Sequence, residues 1–270
     1  MKSNLKKVGR YIKLYQVFVK HSLQSQMEYR ANLFLGIVTE SGWVVAHLLY
    51  PWILYSTNAT GDFLPKESLF VYSGCFLLIT GVFMSCFYTN FANIPEYIRN
   101  GQLDVLITKP VSLQAICSMR YFDFGYPIAD YTGGILLIVI GIFRLNVSLT
   151  VIDILGFMLF IFMGVIWMYC IQMIPAICSF WTVKVNGMYS ISYAIHDMNK
   201  MPRHIYGKGL QIVGTFLFPL FPMSNYPVLF LFHKLSAIEL LWGIIGPFLS
   251  LFLIKGLWDF AIKRYTSANG

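Results

Sequence analysis

The sequence predicts an all-α polytopic membrane protein with six transmembrane helices, and three observations carry that prediction. Of the 270 residues, 57% are hydrophobic and 12% charged, whereas an ordinary soluble domain carries about a quarter charged residues. Apolar stretches of the ~20 residues needed to cross a bilayer recur near 31–56, 69–92, 121–143, 152–181, 208–226 and 237–258. With the N-terminus inside, seventeen of the twenty Lys and Arg residues fall on the inner side, which is the excess that cytoplasmic loops hold. Six crossings return the C-terminus to the cytoplasm. The chain divides into an interfacial segment, 1–26, and one transmembrane domain, 27–270, placed in the cell membrane.

The N-terminal segment is expected to be a basic amphipathic helix. Leu5, Val8, Ile12, Tyr15, Val19 and Leu23 recur at helical spacing, and Lys6, Lys7, Arg10, Lys13 and Lys20 fill the remaining arc. Such a helix lies along the membrane surface, with anionic lipid as its partner. The net charge of +8 is thereby explained by lipid and orientation, without nucleic acid. The first twenty residues have no continuous apolar core, so no cleaved leader is expected.

Spans one and three carry ionisable residues, each costing about 3 kcal/mol at a helix centre on insertion scales. Glu40 and His47 are seven residues apart, as are Asp123 and Asp130, a spacing of about two turns that predicts two polar stripes. These stripes either hydrogen-bond between helices or face a water-filled path. Glu40, His47 and Asp130 are the candidate path or gate residues. Pro219 and Pro222 join them, because "GTFLFPLFPMSNYPVLFLFH" breaks the fifth apolar run where proline removes amide donors. A helix followed by a re-entrant hairpin on the outer side is expected there, and 183–209 before it is read as an inner loop.

Chemistry of other kinds has little support. No G-x-x-x-x-G-K-[ST], H-E-x-x-H or G-x-S-x-G pattern occurs, so no nucleotide-binding or hydrolytic site is expected. Cys75, Cys86, Cys117, Cys170 and Cys178 have no C-x-x-C spacing, and read as buried thiols without a metal or disulfide. Asn58 and Asn146 head N-x-[ST] triplets in the short outer loops and serve as topology tags.

The loop 93–120, "NIPEYIRNGQLDVLITKPVSLQAICSMR", is the most polar passage in the interior of the chain. Pro95 and Glu96 suit a helix start and Gly101 a helix end. Beyond it Leu103, Leu106 and Ile107 stand beside Asp104, ending at Lys109 and Pro110. A compact amphipathic knob with exposed apolar side chains is expected to sit in a groove of another protein.

The phrase "IRNGQLDVLITKPVS" and the ending "FAIKRYTSANG" resemble the permease subunits of ABC-2 type exporters, in a compact six-span subfamily. The matching positions are Ile98, Gly101, Leu103, Asp104, Leu106, Lys109 and Pro110, with Arg264, Tyr265, Ser267, Ala268 and Gly270. The resemblance implies an N-terminal elbow helix, a cytoplasmic coupling helix in 93–120, and re-entrant helices between spans five and six. It also implies docking on a separate ATPase, two copies of which hold the ATP and Mg, and a second permease subunit, identical or paralogous. Leu103, Leu106 and Ile107 would then fill the ATPase groove, Glu96, Arg99 and Asp104 would orient the dock, and Gly101 and Pro110 would set its turns. The chain itself would carry no cofactor and no catalytic residue. Two other readings fit the same residues: a polytopic membrane enzyme using Glu40, His47 and Asp130, and a non-transporting immunity or assembly protein with the permease fold.

Overall fold

A computed structural model describes residues 2–56, 64–146, 148–182 and 184–266, with the backbone alone for 2–8. Asn58 and the tail residues Ser267, Ala268 and Gly270 lie outside the described residues. The chain begins with two 27-residue helices, α1 (Lys2–Glu28) and α2 (Arg30–Ser56). Helix α3 (Ser68–Phe83) continues through a π-helical turn, Met84–Tyr88, into α4 (Thr89–Arg99). Two short helices follow, α5 (Gln102–Ile107) and α6 (Leu113–Met119). Then come α7 (Pro127–Leu145), α8 (Val151–Cys178) and α9 (Asn186–Asp197). Two 3-10 turns, Met198–Lys200 and Arg203–Ile205, lead to α10 (Lys208–Ile212) and a second π turn, Val213–Leu217. Helices α11 (Pro222–Leu231) and α12 (Ala237–Ile262) complete the fold.

Five of these elements are long and apolar enough to cross a bilayer: α2, α3 with α4, α7, α8 and α12. The centre of the bundle is the α3–α7 pair. Its axes approach so closely that a Cβ on Gly74 would stand 2.7 Å from the Gly134 carbonyl oxygen and 2.6 Å from Ile138, so only glycine fits at 74. Helix α8 starts with a capping box in which Thr150 and Asp153 exchange hydrogen bonds, and α12 starts with the same device at Ser236 and Glu239. Each box satisfies amides that helix formation leaves without partners.

The proline-broken stretch at 208–226, where a helix followed by a hairpin is expected, is bent. Residues 208–217 and α11 meet at 102°, with Pro219 at the corner and Pro222 opening α11. Met223, near the tip, packs where Gly164 leaves room on α8, and Phe230 packs on Gly156. Gly164 lies thirteen residues into α8, about 20 Å along its axis. The hairpin therefore enters the bundle from the end that holds the start of α8 and reaches its middle. Pro222 is buried in that packing, so it shapes the hairpin and faces no open path.

The chain that precedes the hairpin corrects a second expectation, the inner loop at 183–209. Tyr189 donates to the Phe91 carbonyl at 2.9 Å, His196 Nε2 meets Thr80 Oγ1 at 3.1 Å, and Lys200 stands over the Phe76 ring at 5.7 Å. Arg203 then pairs with Glu239 in the first turn of α12. From Phe91 to Phe76 is fifteen residues, about 22 Å of helix axis, so 186–203 runs antiparallel to α3–α4 along most of the bundle. This is the sixth lengthwise passage. Lys200 and Arg203 thus leave the basic end, and Lys208 follows them to the far end, while Lys184, Lys263 and Arg264 remain with the residues of α1 and 99–120.

Candidate functional site: the coupling loop and a charged passage in the bundle

The loop after α4 is built from inside outward. Gly101 has φ 67° and is buried, a left-handed turn that a side chain would strain by about 1–2 kcal/mol. It lets α5 fold back so that Leu103 and Leu106, one turn apart, both enter the core, 0% and 8% exposed. The expectation that these two leucines fill a partner's groove is therefore corrected: they anchor the loop to its own bundle. Val105 and Ile107 are the exposed apolar side chains, at 60% and 46%, and Gln102, Lys109 and Pro110 are exposed with them.

Two further sets of hydrogen bonds hold the loop to its surroundings. Helix α1 lies along the segment after α5. Arg10 donates to the Pro110 carbonyl, Tyr11 Oη accepts from Ser112 N at 3.0 Å, and Gln26 bonds to Phe122 O and Phe124 N at 2.8 and 3.0 Å. Asn90 ties the other side. Its Nδ2 donates to Cys86 O and Tyr121 O, and its Oδ1 accepts from Arg120 N and Tyr121 N, all at 2.7–2.9 Å. Asn90 is itself buried, so every polar group of its amide is used.

Burial also fixes the chemistry of Cys117 on α6, whose thiol is pushed up to about 12 by desolvation. It stays a neutral, inert thiol at physiological pH. Glu96 and Arg99, expected to orient a dock, border a cleft of about 820 Å³ between α4 and the start of α9, which Lys184 and Tyr189 also line. Ile98 packs against the core, and Asp104 stands in the first turn of α5.

The second cluster lies within the bundle. On α2, Trp43 and His47 meet edge to face at 4.9 Å, His47 stacks on Phe76 of α3 at 5.7 Å, and Phe76 stacks on His196 of α9 at 4.7 Å. Lys200 closes this layer, 5.6 Å from the Trp43 ring centroid and 2.8 Å from Asp197 Oδ1. Asp197 is 54% exposed on the outside of the chain. It stands level with Phe76 and Thr80, about 12–18 Å into α3, where a charge facing lipid costs about 3 kcal/mol.

The predicted polar stripes are realised in part. Glu40 is half-buried and within electrostatic reach of Asp130, which is buried with Oδ2 unbonded. Asp123 does not share a face with Asp130, because α7 begins at Pro127; its carboxylate instead accepts from Gly125 N at 2.8 Å. Asn90, His196, Asp197, Lys200 and Arg203 were not expected as site residues. The signal for the last four was present, three charges and a histidine within eight positions, in a passage too polar to register as a span.

The family model described as "ABC-2 family transporter protein" matches residues 42–269. The chain belongs to the ABC-2 transporter family. It is a multi-pass permease, and membership implies an ABC ATPase as partner. No curated protein and no solved structure matches the chain. The matched region of the permease includes both the loop of 93–120 and the charged passage of 186–203.

Proposed function

We propose that the permease is half of the membrane-spanning path of an ATP-driven exporter, and that it takes its mechanical input through α5. The observation that carries this reading is the division of labour on that short helix: Leu103 and Leu106 are locked into the permease core, while Val105, Ile107 and Lys109 face outward. A displacement imposed on the outer face is then transmitted to α4 and α6, and through Asn90 to the chain on both sides. The π turn at Met84–Tyr88 lies between this lever and the bundle centre, and π turns are common at functional bends.

In this account the ATP and Mg sit on two copies of a separate ATPase, and this chain carries neither catalysis nor cofactor. Closure of the ATPases on nucleotide moves both α5 levers and biases inward against outward states. Two permease copies enclose the path, both termini are cytoplasmic in the cell membrane, α1 acts as the interfacial elbow, and the hairpin of 208–231 is re-entrant from the outer side. A half-exposed Asp197 at mid-bundle depth supports a second copy, since water and protein there replace lipid beside the charge. The test is purification of the tagged permease from its native membrane in mild detergent. A near-stoichiometric ATP-binding subunit is expected, and recovery of the permease alone under conditions that keep other membrane complexes intact refutes the reading.

A further inference from the structure

We propose that Trp43, Phe76 and Asp197 form a cation-binding box on the transport path, that Lys200 occupies it when cargo is absent, and that the cargo carries a lipophilic cation. The proposal rests on the exporter reading above for its biological meaning, while the box itself lies within one chain. Its geometry is that of a cation site. The Lys200 ammonium stands 5.6 and 5.7 Å from two aromatic centroids and 2.8 Å from a carboxylate oxygen, within the ~6 Å over which a ring quadrupole attracts a cation.

Three features distinguish an occupied binding site from an ordinary ion pair. First, Lys200 fills the site: its side chain is 14% exposed, and the space left among His47, Tyr50, Ser73, Phe76, Leu77 and Lys200 is about 10 Å³, barely room for one water. Second, the site opens outward, because Asp197 and Trp43 are each more than half exposed at a depth where the surrounding helices are apolar. Third, the local charge is negative without Lys200. Asp197 then stands without its cation, and Arg203 is engaged with Glu239.

A lysine on a flexible four-carbon stem can leave such a box without unfolding the chain. A cargo cation with apolar substituents takes the rings and Asp197 in its place. An anion finds Asp197 against it.

The experiment uses the full chain in phosphatidylcholine nanodiscs and two probes of similar size and opposite charge, radiolabelled tetraphenylphosphonium and tetraphenylborate, with partition into empty nanodiscs subtracted. Removing the tethered competitor, as Lys200→Gln or the length-matched Lys200→Met, is expected to tighten tetraphenylphosphonium binding about tenfold, since apparent affinity scales with the fraction of open sites. Asp197→Asn and Trp43→Ala are each expected to weaken it by about fivefold or more. Tetraphenylborate should bind none of the variants above background. Unchanged or weaker tetraphenylphosphonium binding in both folded Lys200 variants overturns the proposal, as does preference for tetraphenylborate. ATPase co-purification from the same variants separates the two readings: a retained ATPase with no cation binding sinks the box alone.

Discussion

Replacing Val105 or Ile107 with Asp tests the lever directly, because the structure separates what holds α5 in place from what it presents. Val105 and Ile107 are 60% and 46% exposed, so a carboxylate there remains solvated and should change stability by no more than about 0.5 kcal/mol. In a partner's groove the same carboxylate loses its water and replaces an apolar anchor, a loss of about 2 kcal/mol or more, or some thirtyfold in affinity. Leu103→Ala is the opposite case. Its side chain is fully buried, and deleting it should cost about 3 kcal/mol and lower the thermal midpoint in detergent by roughly 5–10 °C. The assay pairs a thermal melt of the purified permease with ATPase recovery on a tagged permease column. The expected pattern is a normal melt with lost ATPase for Val105→Asp and Ile107→Asp, and a lowered melt for Leu103→Ala. Full ATPase recovery with both Asp variants refutes the placement of the dock on the outer face of α5.

Other outcomes follow from the same packing. Arg203→Ala leaves Glu239 partly buried without its cation, which should destabilise by about 3 kcal/mol; the double variant with Glu239→Gln should recover part of that loss in the same melt. Asn90→Ala strips partners from the Arg120 and Tyr121 amides and the Tyr121 carbonyl, and at about 1–3 kcal/mol for each group left unpaired it should lower both melting temperature and export. Gly74→Val should prevent close approach of α3 and α7, since even a Cβ there meets the Gly134 carbonyl oxygen at 2.7 Å; the readout is loss of monodisperse protein on size exclusion. In an otherwise Cys-free chain, Met188→Cys and Ile205→Cys should label with impermeant maleimide from opposite sides of the membrane, as the lengthwise passage of 186–203 requires.

Much of this architecture is legible in the residues. The helical repeat from Leu5 to Leu23 against five cations announces α1, and Gly101 ahead of Leu103, Leu106 and Ile107 announces a turn with an amphipathic helix behind it. Periodicity alone does not say which apolar side chain meets the chain's own core and which faces away. On a six-residue helix, Leu103 and Leu106 are distinguished from Val105 and Ile107 only by what α4 and α6 place beside them. The passage of 186–203 was hidden for a different reason. Hydropathy treats Asp197, Lys200 and Arg203 as free charges, whereas the fold pairs Lys200 with Asp197 and Arg203 with Glu239. The apolar run beginning at Gly214 is long enough to count as a fifth crossing, while its prolines mark the corner of a hairpin.

The central claim, that ATP-driven motion enters through the loop after the second span, is tested most directly by a photo-crosslinking residue at Val105 in native membranes, with Phe143 at the far end of the bundle as the control position. The expected result is an adduct at Val105 with a subunit that also takes a photoreactive ATP analogue, formed there and not at Phe143. An adduct at Val105 with lipid alone, while the same ATP-binding subunit crosslinks elsewhere on the permease, would contradict it.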